Sequence, residues 1–130
     1  MNRGCLKTIV ITSSLLFFLS STFYLAIWPK LKIKIIKNSL ISISSALENY
    51  NNDYPDHIIT QNNPESTSKL LGENGRNKKY LSPRDTIIKN GILVDYWNTP
   101  LIYRFSSKRI EVFSSGKNKT TDDFDDIRIN

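Results

Sequence analysis

From Thr8 to Pro29 the chain runs 22 residues without a charge, with Leu15-Leu16-Phe17-Phe18-Leu19 at the centre. About 20 apolar residues in a helix cover a hydrocarbon core of about 30 Å, so this run predicts a transmembrane helix over residues 8–29. Tyr24 and Trp28 stand at its far end, where amphipathic rings favour the headgroup level. Thr12, Ser13, Ser14, Ser20, Ser21 and Thr22 dilute the hydropathy, but a helical hydroxyl can bond a carbonyl of the preceding turn. A cleaved signal peptide is the rival reading. The run exceeds the roughly 7–15 residues of a signal core, and no small-x-small site precedes the charged stretch. An uncleaved single-pass anchor is therefore expected, with residues 1–7 as a short basic start.

Beyond Pro29 the period changes. Ile33, Ile36, Leu40, Ile43, Leu47 and Tyr50 follow one another in steps of 3, 4, 3, 4, 3, a heptad-like seam on one face of a helix. This predicts an amphipathic stalk helix over residues 30–52. Lys30, Lys32, Lys34 and Lys37 occupy other faces of its first turns. A seam this short is expected to pack on its own domain rather than in a free coiled coil. Pro29 predicts a disturbance where the two helical stretches meet, because proline lacks an N–H and crowds the previous turn. Asn51-Asn52-Asp53 and Pro55 predict the stop.

Residues 53–130 predict a small α+β domain. A short helical turn is expected at Ser66–Leu71, ended by Gly72, Asn74 and Gly75. Lys79-Tyr80-Leu81 and Gly91-Ile92-Leu93-Val94 read as short extended pieces. The strongest signal is a hairpin: Leu101-Ile102-Tyr103-Arg104-Phe105, a turn at Ser106-Ser107-Lys108, and a partner strand marked by Ile110, Val112 and Phe113. The chain closes with a polar loop, Gly116 to Asp126, that carries four Asp in its last five positions. With the stalk, the fold class expected is α+β: a long N-terminal helix packed on a small antiparallel sheet.

Charge sharpens the membrane reading. The net charge is +6, yet residues 1–52 hold six Lys/Arg and one Glu while residues 53–130 hold twelve and eleven. The basic excess flanks one apolar segment, which points to membrane lipid rather than nucleic acid as partner. Charge counting alone places the C-terminal side of the span, with four lysines, in the cytoplasm. One Cys and one His in 130 residues exclude a disulfide framework and leave a His-based metal site or triad without partners. Cys5 precedes the apolar run, whereas a lipidated Cys would follow it. Trp97 is expected as a core anchor and His57 as a surface residue. Asp85, Asp95 and Glu111 have no spacing that supports acid/base work, and no enzymatic activity is expected.

Four pieces in order carry a family resemblance: Ala46-Leu47-Glu48-Asn49-Tyr50 with Asp53-Tyr54-Pro55; Asp95-Tyr96-Trp97-Asn98-Thr99-Pro100 with Tyr103; Ser114-Ser115-Gly116 with Asn118; and Asp125-Asp126-Ile127. Residues 46–127 resemble the C-terminal half of the major pseudopilin of type II secretion systems, general secretion pathway protein G. Asn98 stands where that family has Gly, and Asn118 where it has Asp. The family's short leader, Gly and Glu at the fifth mature position are not matched: Ile9 is fifth after Gly4, and no acid precedes Glu48. The resemblance implies a structural subunit of a type II secretion or type IV-pilus-like assembly. It would sit in the bacterial inner membrane with its C-terminal domain extracytoplasmic, against the lysine count, and contact other pseudopilin or secretion-apparatus subunits or copies of itself. The alternative is an anchored interaction domain of the envelope that does not polymerise. The resemblance also implies a calcium ion held by the Ser115 carbonyl and the side chains of Asn118, Asp123, Asp125 and Asp126, in keeping with the oxygen ligands calcium takes.

Overall fold

A computed structural model describes residues 17–21, 23–106 and 109–129. The chain divides into two units, residues 1–34 and 35–130.

In the first unit, residues 17–21 are helical and Phe23–Ile27 form a π-helical turn. Helix α1, Trp28–Asp53, follows directly. The disturbance expected at Pro29 takes the form of that wide turn just before it, one of the usual ways a helix absorbs a break in its hydrogen-bond ladder. The Ser20 and Ser21 hydroxyls donate to the Phe17 and Phe18 carbonyls, 2.9 Å each, so they bring no unsatisfied polar group. Among the described residues no helix is long and apolar enough to cross a membrane. Residues 8–16 and Thr22 of the expected span, like Arg3, Gly4, Cys5 and Lys7, lie outside the described residues.

The second unit is α+β. Its core is built on α1, whose Ile36, Leu40, Ile43, Ala46, Leu47 and Tyr50 are buried. The seam thus packs on its own domain, as its length implied. Ile33, its first member by spacing, is 42% exposed and belongs to the first unit. The buried face meets Ile59, Leu70, Leu81, Leu93, Leu101, Ile110, Val112 and Ile127, with Trp97 half-buried against the same cluster. The helix stops at Asp53, where Tyr54 N–H still reaches the Tyr50 carbonyl at 2.9 Å and Pro55 follows.

Helix α2, Pro64–Leu71, is framed by sequence-local devices: Asn63 as N-cap accepting from Ser66 N–H, Pro at the helix start, and Gly72 at φ 120° as its end. Two antiparallel hairpins make the sheets. Strands β1 (Ile87–Lys89) and β2 (Ile92–Val94) pair through Lys89↔Ile92, and β3 (Ile102–Ser106) and β4 (Arg109–Phe113) pair through Ser106↔Arg109. The second is the expected hairpin; Ser107 and Lys108 of its turn lie outside the described residues. The first was half missed. Its turn is Asn90-Gly91 at φ 52° and 79°, the dipeptide that most favours a two-residue hairpin loop. Lys79-Tyr80-Leu81 is not a strand, though Tyr80 and Leu81 N–H groups both donate to the Leu70 carbonyl.

Candidate functional site

The motif residues converge where the strands end. Asp95 follows β2 and is 3% exposed. Its Oδ1 accepts the Trp97 and Thr99 N–H groups at 2.8 Å each, and its backbone N–H donates to the Thr99 carbonyl. The turn that results holds Asn98 at φ 59°. Gly and Asn are the residues that take this left-handed conformation most readily. The other carboxylate oxygen accepts the Ser114 hydroxyl at 2.6 Å, and Ser114 Oγ in turn accepts Gly116 N–H at 3.1 Å. One buried carboxylate therefore ties the β2 exit to the end of β4. Sequence spacing did not single out this pair, because the partners lie 19 positions apart and meet only through the two hairpins.

The acidic loop starts from that tie. Ser114 pairs with Ile127 across an isolated bridge, closing the loop at its base. Gly116 sits at φ 67°, and a Cβ there would collide with the Asp125 carbonyl and carboxylate. Within the loop, Asp125 Oδ2 accepts Asn118 N–H at 3.0 Å, Asp123 Oδ2 accepts the Asn118 side-chain amide at 2.6 Å, and Asp123 Oδ1 accepts Asp125 N–H at 2.9 Å. Arg128 spans three carboxylates: Glu111 on β4 at 2.9 Å, Asp122 at 3.0 Å and Asp126 at 2.7 Å. Arg104 on β3 adds a second guanidinium to Asp122 at 2.9 Å. The Arg104 hydrogen bond, with Arg128 adding to it, holds the Asp122 carboxyl below the usual carboxylate range. Both guanidinium groups lie over the buried Phe113 ring, at 5.0 and 4.2 Å from its centroid.

The structure thus gathers Asn118, Asp123 and Asp125 into one hydrogen-bonded set, with Ser115 buried at the loop base and Asp126 turned to Arg128. Among the described residues, no group of three or more His, Cys, Asp or Glu side chains is arranged to hold a metal ion. The donor set still fits calcium in kind, being all oxygen. One oxygen also lacks a partner: Asp126 has a side chain 3% exposed, and its buried Oδ1 accepts no hydrogen bond. A buried carboxylate oxygen left so is costly unless a donor or cation meets it.

A second polar cluster marks the end of α1. Asp53 accepts from Lys78 Nζ at 2.7 Å and Tyr80 Oη at 2.6 Å and pairs with Arg76 at 3.2 Å. Hydrogen bonds from Lys78 and then Tyr80 hold its carboxyl below the usual range, and burial with the Asp53 bond pushes the Tyr80 hydroxyl up to about 12. His57 is exposed beside it. Three asparagines do the joining that sequence reading missed. Asn62 brackets Leu93 and Leu101 across the two hairpins, Asn51 accepts Ile59 N–H, and Asn74 ties the Lys69 and Lys78 carbonyls. Asp85 meets the Ser39 hydroxyl through its carbonyl at 2.6 Å, and Glu111 meets Arg128, so neither is paired with Asp95 by any hydrogen bond among the described residues.

No family model, no curated protein and no solved structure matches this chain.

Proposed function

We propose that this chain is a membrane-anchored, pseudopilin-like structural protein of a type II secretion or type IV-pilus-like assembly in the bacterial inner membrane, with its C-terminal domain extracytoplasmic. The observation that carries the reading is the use to which the motif residues are put. Asp95, Ser114 and Gly116 form one buried brace, with exposed Asn98 turning the chain beside it, that hangs the acidic loop from two hairpins, over a helix whose seam ends at Tyr50. Residues spent this way serve a rigid shape rather than a reaction, which suits a subunit that works by packing. The exposed Phe17, Phe18, Phe23, Tyr24 and Leu25 of the first unit suit contact with lipid or with neighbouring helices. Calcium belongs to the same proposal. It would be held by Ser115, Asn118, Asp123, Asp125 and Asp126, and would neutralise Asp123 and Asp125, the loop carboxylates that Arg104 and Arg128 do not pair.

The absence of any acid before Glu48 favours the second reading, an anchored envelope domain that does not polymerise. Mass spectrometry of the mature N-terminus, with chemical crosslinking in the native membrane, separates the two. An assembling subunit gives a terminus trimmed after Gly4 and self-crosslinked multimers. An intact Met1 or Asn2 terminus with monomer alone overturns the first reading in favour of the second. Release of the chain by alkaline extraction, unchanged by Phe17→Arg, overturns the anchor itself, since a charge at a bilayer centre costs about 2.5–3.5 kcal/mol on insertion scales.

A further inference from the structure

We propose that the lysine collar on the first turns of α1, Lys30 and Lys34 on one face and Lys32 on another, binds the headgroups of anionic phospholipids. The inference rests on the reading of the chain as membrane-anchored and names the class of lipid that the anchor selects.

The first unit carries the charge surplus of the chain. Residues 1–34 hold five of the eighteen Lys/Arg and none of the twelve Asp/Glu, because the first acid is Glu48. Residues 35–130 hold thirteen of those cations and all twelve acids. Several are paired there within the fold: Lys69 with Glu65, Arg76 and Lys78 with Asp53, Arg104 and Arg128 with Asp122. The first unit has no carboxylate that could do the same for Lys30, Lys32 or Lys34. Lys30 and Lys34 are exposed and stand four residues apart on α1, so their ammonium groups repel across one face unless an anion meets them. Lys32 leans over the Trp28 ring, 5.9 Å from its centroid.

Three aromatic rings set the depth. Phe23 packs edge-on against Tyr24, with centroids 5.9 Å apart, and tilted against Trp28 at 6.0 Å. Tyrosine and tryptophan rings settle at the boundary between acyl chains and headgroups. At 1.5 Å per residue, Lys30, Lys32 and Lys34 leave the helix about 3, 6 and 9 Å beyond Trp28. Helical side chains lean toward the N-terminus, here back toward the bilayer. The headgroup layer is about 5–7 Å deep on each side of the hydrocarbon core, so the ammonium groups fall within it, at the level of the phosphates. A zwitterionic headgroup brings its own ammonium to offset its phosphate. An anionic one leaves a net negative charge, which draws juxtamembrane lysines within a Debye length of the surface. These are also the lysines that charge counting sets against an extracytoplasmic domain, and an acidic leaflet on that side would hold them there.

The test uses the full chain in vesicles, with Trp97→Phe so that Trp28 is the sole tryptophan. The vesicles are phosphatidylcholine with a minor share of phosphatidylglycerol, and bromine is carried on the upper acyl carbons of one lipid or the other at the same mole fraction. Trp28 is expected to be quenched severalfold more by the brominated phosphatidylglycerol. High salt, and the triple variant Lys30→Gln, Lys32→Gln, Lys34→Gln, are each expected to bring the two lipids level. Lys89→Gln, exposed on β1, is expected to leave the preference intact. The natural chain, extracted from the same vesicles in mild detergent, is expected to carry out more phosphatidylglycerol than its share of the membrane. Equal quenching by the two lipids, or an extract without enrichment, overturns the proposal and leaves the anchor standing. So does a preference that survives the triple variant or is lost equally with Lys89→Gln. Quenching by neither lipid overturns the anchor and the proposal with it. Carbodiimide coupling of these lysines to carboxylates of another protein in the native membrane assigns them to a protein partner and overturns the proposal as well.

Discussion

Asp95→Ala is expected to destabilise the second unit by about 3–5 kcal/mol. The carboxylate accepts three bonds, from Trp97 N–H, Thr99 N–H and Ser114 Oγ–H. Hydrogen bonds to a charged acceptor contribute roughly 1.5–3 kcal/mol each, and a buried donor left without one costs about 1–3. Ser114 is fully buried, so its hydroxyl bears the whole penalty, while Trp97 and Thr99 are half-buried and water recovers part of theirs. Those discounts bring three bonds to the figure given, a large share of a total stability of roughly 5–15 kcal/mol. Asp95→Asn separates geometry from charge. Its amide oxygen can keep the two backbone donors, and its NH2 can donate to Ser114 Oγ once that hydroxyl turns, so about 1 kcal/mol is expected. Ser114→Ala should fall between, near 2 kcal/mol, because it strands one carboxylate oxygen and Gly116 N–H. Urea unfolding, read from the near-ultraviolet signal of Trp97 with Trp28 replaced by Phe, measures all three. A change in midpoint at constant slope reports stability alone. A loss under about 1 kcal/mol for Asp95→Ala, or equal losses for Ala and Asn, would refute the brace.

Three other expectations follow from the same structure. Leu47→Ala, at a fully buried seam position, should cost about 2–5 kcal/mol, while Ile41→Ala, 50% exposed on α1, should stay within about 0.5; similar losses in denaturation would show that the seam is misplaced. Asp53, held low by Lys78 and Tyr80, gives stability that is present above the ordinary aspartate range and lost as pH falls through its depressed value. Tyr80 adds stability that is full below the ordinary tyrosine value and lost as pH rises toward about 12. Asp53→Asn should therefore flatten the acid limb of a melting-temperature profile and bring the Tyr80 absorbance titration down, and an unaltered profile counts against the cluster. Calcium bound only by the folded form should raise stability by about 2.7 kcal/mol at a hundredfold excess over Kd. Asp125→Ala should remove the gain and Asn118→Asp strengthen it, and a melting temperature indifferent to millimolar calcium in both the natural chain and Asn118→Asp ends the calcium reading.

The features legible in the sequence are those with a local cause. The seam from Ile36 to Tyr50 was readable because a helix repeats every 3.6 residues, so burial on one side writes a 3-4 period into the chain. The hairpin of β3 and β4 was readable from alternation around a short polar turn, and the body of α2, Ser66–Leu71, from the Gly72, Asn74 and Gly75 that end it, though not its start at Pro64. The Asn90-Gly91 turn was equally local, and the missing β1 was recoverable from it. The acidic loop stood out as composition, four Asp in five positions. What composition could not tell was which acid faces what. Arg128 chooses Asp126, Asp122 and Glu111, Asn118 chooses Asp123 and Asp125, and Asp95 chooses Ser114, because the hairpins and the Ser114↔Ile127 bridge deliver those atoms within 3 Å of one another. A side chain such as Asn62, which serves two strands at once, carries no period and no neighbour signal. Periodicity and turn chemistry record interactions over a few residues, whereas the partner of a buried polar group is set by chain closure over tens of residues, and only the tertiary structure decides it.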